Sequence, residues 1–169
     1  MLRVTYLDVS QGNSALVNFP GKGNMLVDGG GFRGSSFDVG RYVVAPYLWH
    51  QRIRRLDTMV LSHAHPDHYQ GLRFVATHFP TRKFWHNQVF TDDPNFLALM
   101  TTLAEKKVDC LGPGEISTPQ KINGVEVQVL HPPIELSRIS RLPTDKELNN
   151  LSLVLRLKYK DVSFLFPGD

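Results

Sequence analysis

Residues Ser62 to Gly71 read "SHAHPDHYQG" and place three histidines and an aspartate within the six positions His63 to His68. Imidazoles and carboxylates at such density are metal-ligand chemistry, and the spacing says how they would act. His63 and His65 are two apart, so in extended chain they project to the same side and can pinch one ion. Pro66 favours extended geometry at His65 and then suits the first turn of a helix, which turns Asp67 and His68 toward a second position close by. One short loop thereby serves two metals. The cluster holds no cysteine, which argues against a thiolate-rich site and leaves zinc, manganese or iron. The preceding run Leu56 to Leu61, "LDTMVL", has the length and apolar character of a buried strand, so the loop leaves that strand at its carboxyl end. Surface-loop histidines are the competing account, outweighed by four ligand-type residues in six positions directly after a buried strand.

Outward from this loop the chain alternates short apolar segments with glycine, proline and asparagine punctuation, and it contains no internal repeat. Leu2 to Val9, Ala15 to Phe19 and Asn24 to Asp28 read as strands. A glycine-rich connection, "DGGGFRGSS", follows. Val39, Val43, Val44, Tyr47 and Leu48 recur at helical intervals within Phe37 to His50, with Pro46 expected to bend or interrupt the helix. Leu72, Val75, Ala76 and Phe79 predict a helix after the cluster, and Pro94 to Lys107 another, opened by Asp93 or Pro94. A short strand is expected near Lys83 to Trp85, and "KINGVEVQVLHPP" predicts an Asn-Gly turn and a strand that stops at the prolines. Pro143 to Asn150 reads as a polar loop, and Leu151 to Tyr159 with Val162 to Phe166 as two closing strands. The expected architecture is one α/β domain over residues 1–169.

Composition sets bounds without choosing a function. At 169 residues and 41% hydrophobic content, the chain is an ordinary soluble domain with one core. No run approaches the ~18 apolar residues of a spanning helix, and "MLRVTYLDVS" lacks the layout of a signal peptide. A formal charge of +3 permits an anionic partner without arguing for one. The single cysteine, Cys110, excludes an intrachain disulfide and a multi-cysteine zinc site, and is expected to be buried and inert.

His63, His65, Asp67 and His68 match H-x-H-x-D-H residue for residue, "MLVDGGG" precedes them and "FLFPGD" follows. In these motifs and their order the sequence resembles the metallo-β-lactamase superfamily. The resemblance implies a four-layer αββα sandwich and two divalent ions held by His63, His65, Asp67, His68 and Asp169. Asp169 corresponds to the metal-bridging carboxylate, and Asp28 to the aspartate that supports the metal loop. "LRVTYLDVSQGNSALV", "FDVGRYVVAPYL", "IRRLDTMVLSHAHPDHYQGL" and "LNNLSLVLRLKYKDVSFLFPGD" further resemble the hydrolase-like domain of the ComEC-type bacterial competence proteins. Those are membrane channels for DNA uptake, and the domain is proposed to degrade the strand that is not imported. An inner-membrane parent with this domain on its extracytoplasmic side is the implied setting.

Departures from the pattern carry their own expectations. The ComEC-type L-D-V-G-Q-G-D-S segment has Ser10 for its glycine and Asn13 for its second aspartate, leaving Asp8 and Gln11 to line the cleft or order the turn. The superfamily supplies a histidine before the bridging aspartate; here Asn149 and Asn150 match the subgroup's asparagines, which mildly favours manganese over zinc, and His131 is the nearby histidine. A further histidine is expected after Asp169, so the sandwich is expected to be incomplete, its C-terminal part missing, and the 169-residue chain alone to show little or no catalysis.

Other features read as structure. His131 is assigned to a loop-backbone hydrogen bond in preference to the cleft, and His50, His78 and His86 to surface or half-buried positions. Trp49 and Trp85 are expected in the core. The run Arg52 to Asp57, "RIRRLD", reads as a solvated connection, with phosphate contact the alternative. "DGGGFRGSS" lacks the G-K-[ST] ending of a phosphate loop, and Lys106 with Lys107 suits a helix C-terminus. The expected chemistry is metal-assisted phosphodiester hydrolysis with Asp67 and Asp169 in catalytic roles and DNA as partner. The alternatives are a non-catalytic DNA- or partner-docking module with a degenerate metal site, and a metallohydrolase of a small ester or lactone.

Overall fold

The computed structural model describes residues 1–34, 36–134 and 142–169. Six strands form one sheet in spatial order: β1 (Arg3–Tyr6), β2 (Ala15–Asn18), β3 (Asn24–Val27), β4 (Leu56–Leu61), β5 (Thr81–His86) and β6 (Asp109–Leu111). The first three are antiparallel neighbours, and β3 to β6 run parallel. The second sheet, ordered β10-β9-β8-β7, is antiparallel and built from β7 (Gln120–Ile122), β8 (Val125–His131), β9 (Val154–Tyr159) and β10 (Val162–Phe166). Helices α1 (Ala45–His50), α2 (Pro66–His78) and α3 (Pro94–Glu105) cover the outer face of the six-stranded sheet. Two short helices, α4 (Pro113–Ile116) and α5 (Asp145–Asn150), complete the α-helices among the described residues.

Strand alternation accounts for two apolar layers. Leu26, Met59, Leu61 and Phe84 point to the helices, where Tyr69, Leu72, Val75 and Phe96 meet them. Their neighbours Met25, Val27, Val60 and Trp85 face the second sheet and pack on Val125, Val127, Leu155 and Leu157. Buried on both sides, β4 has to be a nearly continuous apolar run, which is the pattern that made it legible. On the outer face of the second sheet Arg156 donates to Gln128 at 2.7 Å, beside the exposed Leu165. Helix, sheet and sheet are thus three layers of the expected αββα sandwich. The described residues include no second helical layer.

Several expectations need correction. The segment read as a polar loop before Asn150 contains α5, begun by a capping box in which the Thr144 hydroxyl accepts from the Glu147 N–H and the Glu147 carboxylate accepts from Thr144. Neither β6 nor α4 was anticipated, both being too short to show a period. Pro46, which lacks an N–H, is preceded by a π-helical turn at Gly40–Val44, where the Ala45 N–H reaches back to Gly40. Cys110 is exposed on β6, an edge strand that pairs with β5 alone. Partial burial and the Asp109 charge raise its thiol pKa. Trp49 lies half in solvent, stacked on Phe79 at 5.5 Å, whereas Trp85 is in the core. His86 is buried.

Candidate metal centre

The loop between β4 and α2 is shaped by Pro66. His65 is extended (φ −94°, ψ 146°), and its carbonyl accepts from the N–H groups of His68 and Tyr69, so the helix begins at Pro66 itself. Asp67 and His68 therefore stand on the first helical turn, while His63 leaves the strand end. Asp169 arrives from the other sheet. Gly168 makes that possible with φ 70°, and a Cβ there would lie 2.5 Å from that of Ser152. The Leu153 N–H donates to the Ser62 carbonyl at 2.7 Å, tying the ends of the two sheets together.

One ligand atom from each of His63, His68 and Asp169 lies within 4.8 Å of the others. Asp169 Oδ1 is 3.3 Å from His68 Nε2 and its Oδ2 is 4.0 Å from His63 Nε2. His65 Nδ1 faces His63 Nε2 at 3.0 Å, and Asp67 Oδ2 is 3.9 Å from His68 Nε2. Of the five residues proposed as ligands from the sequence, His63, His68 and Asp169 converge, while His65 stands beside His63 and Asp67 beside His68.

Each imidazole is anchored through its other nitrogen. Asp28 accepts from the Ser62 N–H at 2.7 Å and the Ser62 hydroxyl at 2.8 Å, and stands 2.9 Å from His68 Nδ1. With its proton engaged by Asp28, the Ser62 oxygen accepts from His63 Nδ1 at 3.0 Å, and Ser152 Oγ lies 3.2 Å from the same nitrogen. That tautomer turns the His63 Nε2 lone pair inward. His65 Nε2 approaches Asp145 Oδ1 at 3.4 Å, and Arg33 in turn pairs with Asp145 at 3.4 Å. Outer partners of this kind orient metal-binding histidines.

The electrostatics suit a cation. Burial drives the His63 imidazole down to about 3, helped by the nearby His68, so it stays neutral as a ligand must. Burial also opposes protonation of His68, but Asp28, by charge and hydrogen bond, then Asp169 and Asp67, raise it to about 9. A pocket that draws a proton this strongly holds a positive charge well. His68 Nε2 is buried without a hydrogen bond among the described residues. The inward Nε2 lone pair of His63, carboxylates at the rim and a His68 Nε2 that faces them without a hydrogen bond fit divalent metal.

A profile of the metallo-beta-lactamase superfamily matches residues 7–169. The chain belongs to the metallo-beta-lactamase superfamily. It is 26% identical to the ComE operon protein 3 of Bacillus subtilis (strain 168) over 179 aligned positions, which take in 98% of this chain and 22% of that protein. The chain thus spans under a quarter of that relative's length. The metallo-beta-lactamase fold protein YhfI from Bacillus subtilis superposes with a TM-score of 0.52 at 14% identity, covering 94% of this chain and 55% of that one. A metallo-beta-lactamase from Cronobacter sakazakii gives a TM-score of 0.55 at 16% identity, covering 96% and 60%. These structural likenesses show the metallo-beta-lactamase fold.

Around this superfamily centre the remaining sequence candidates take lesser places. Asp8 is exposed and accepts from the Ser10 N–H at 3.3 Å, ordering the turn, and Gln11 is exposed on the same loop. That loop lies against the centre: a Cβ on Gly12 would fall 1.8 Å from the Asp67 carbonyl oxygen. Asn149 Oδ1 is buried without a hydrogen-bond partner among the described residues, and Asn150 is exposed, its carbonyl 2.9 Å from His131 Nε2. His131 thus makes a backbone contact. Sequence reading missed Ser62, Ser152, Asp145 and Arg33. Only Ser62, adjacent to His63, carried a local signal; the others come from separate segments.

Proposed function

We propose that this domain hydrolyses phosphodiester bonds of DNA with two divalent ions, manganese or zinc, within a longer membrane-bound DNA-uptake protein of bacteria. The observation that carries the hydrolase reading is the convergence of His63, His68 and Asp169 within 4.8 Å, every imidazole backed by a hydroxyl or carboxylate. The DNA reading is supported by the ComEC-type motifs and by the likeness to the ComE operon protein 3. The ComEC-type motifs also support an inner-membrane parent with this domain on the extracytoplasmic side. No helix among the described residues is long and apolar enough to cross a membrane.

His63 and His65 would hold one ion, Asp67 and His68 the other, with Asp169 between them. Bound there, divalent metal brings the pKa of water toward ~7 and draws charge from a phosphoryl oxygen. The chain's own contribution is placement. Asp28 and Ser62 fix two imidazoles before substrate arrives, so no reorganisation is required at the reacting phosphate. Asp67 and Asp169 are the carboxylates at the open side, placed to take the proton of an attacking water. The Arg33 guanidinium, on the rim beside Asp145, offers a charge to a phosphate oxygen.

The test combines metal binding by this chain with DNA hydrolysis by the longer protein that contains it. Manganese or zinc should support cutting, and His65→Ala should abolish it with loss of bound metal. Retained nuclease activity and metal content in His65→Ala overturns the ligand assignment. Metal binding with turnover only of lactones or small esters overturns the DNA assignment, and absence of any titratable metal leaves a docking module instead.

A further inference from the structure

The parallel strands give the molecule two chemically opposite ends. The metal loop follows the carboxyl end of β4, so the amino ends of β3, β4 and β5 lie together at the far end of the sheet. Six cations collect there from four segments. Lys22 sits in the turn before β3, Arg54 and Arg55 lead into β4, Arg82 and Lys83 open β5, and Lys121 lies in β7. The turn after β7 is brought alongside when the Asn123 side chain donates to the Lys22 carbonyl. At the other end stand Asp28, Asp67, Asp145 and Asp169.

These cations are uncommitted. The non-histidine ion pairs given for the described residues join Arg33 to Asp145 and Arg156 to Glu126, and none of the six takes part. Four of them, Lys22, Arg55, Arg82 and Lys83, border a concave surface of two adjoining cavities, about 390 and 410 Å³, that share Arg55, Asp57 and Arg82. The one carboxylate in the groove, Asp57, is held by the Asn24 N–H at 3.0 Å. Gathering like charges in a groove without partners costs folding energy, and binding of an anionic ligand returns it.

The form of the groove selects the anion. A lipid surface calls for exposed aliphatic or aromatic side chains among the basic ones, and none of the large exposed hydrophobic residues lines either cavity. Phe19, which reaches the lining, is buried at 5% exposure, so the groove has no platform on which an unpaired base can stack. What remains is Lys22, Arg55, Arg82 and Lys83 around an open groove, suited to the phosphates of a double helix without reading its sequence.

We propose that this basic groove is a docking surface for the phosphate backbone of duplex nucleic acid, separate from the metal centre. Six residues of β4 separate the two, a span of about 20 Å at ~3.3 Å per residue. The groove therefore does not contact the reacting phosphate. It holds the duplex while the centre works elsewhere on it, and it keeps its affinity when metal is removed.

The experiment measures binding of a fluorescent duplex of about 20 base pairs by anisotropy, with a metal chelator present, from about 50 to about 200 mM salt. The wild-type chain should bind with a steep salt dependence. In Arg55→Ala/Arg82→Ala the slope of log K on log salt should fall by about 1.8, and low-salt affinity by at least about tenfold. Lys22→Ala/Lys83→Ala should behave alike, and Arg41→Ala on the helical face should match wild type. Circular dichroism checks that the exposed substitutions leave the fold intact. An unchanged slope in both double variants, no duplex binding by wild type, or arginine-dependent binding only to vesicles of anionic lipid each overturns the proposal. Because the chelator removes the metal, none of these outcomes depends on the nuclease reading.

Discussion

One hydroxyl, that of Ser62, touches Asp28, His63 and His68 at 2.8, 3.0 and 3.2 Å and so couples both buried imidazoles to a single carboxylate. Asp28→Asn keeps the side chain's size and tolerates the positive φ of 57° but removes the charge that orients His68. Metal affinity should fall by about 10–100-fold, read by competition with a coloured chelator, while the far-ultraviolet spectrum stays unchanged. His86 has no such partner: burial drives its pKa down to about 4, with Glu115 opposing weakly. In the unfolded chain it titrates near ~6.5, so below that pH the unfolded state binds the extra proton and stability is lost as pH falls toward the folded value. The loss reaches roughly 3 kcal/mol at full effect. Urea midpoints for His86→Gln should fall less between neutral and acid pH than those for wild type; an equal fall removes His86 as the cause.

Among the elements, α5 links local sequence to the centre. Its capping box positions Asp145, the first helical residue, against His65, and Leu148 is buried in the helical-side core. Thr144→Ala removes the cap at a cost of about 1 kcal/mol. Expected with it is a measurable loss of metal affinity, since His65 then lacks its outer partner; unchanged affinity by calorimetry would show that the core contact of Leu148 suffices to hold the helix. This box, Thr144 followed by Glu147, was legible and overlooked beneath the segment's polarity. β4 and α2 were legible for stronger reasons: burial on both faces imposes a continuous apolar run, and Pro66 permits one way out of the strand. The three-residue β6 had no such constraint. Its partner β5 defines it, and no period can show in so short a piece.

For the molecule as a whole, the centre joins two sheets, because His63 and His68 follow β4 of one and Asp169 follows β10 of the other. A metal bound between them cross-links the sandwich. Manganese or zinc at about 100 times its dissociation constant should add roughly 2.7 kcal/mol to unfolding, seen as a higher melting temperature that a chelator reverses. In Asp169→Asn the gain should shrink. A gain of the same size in that variant would place the metal on the β4 loop alone. The opposite polarity of the two ends also predicts that salt weakens duplex binding without displacing metal, since buried ligands are screened far less than surface cations.

The sequence by itself determined the chemistry: four ligand residues packed behind a two-faced apolar strand, with a proline to turn the chain, are local constraints that neighbours along the chain can express. Only the tertiary structure decided the partners of those ligands and the gathering of cations at the far end. Ser152, Asp145 and Arg33 reach the centre, and Lys22, Arg55 and Arg82 reach one another, through strand pairing across long stretches of chain. Hydrogen bonds and like-charge clusters of that kind depend on distance in space, which no spacing along a single chain records.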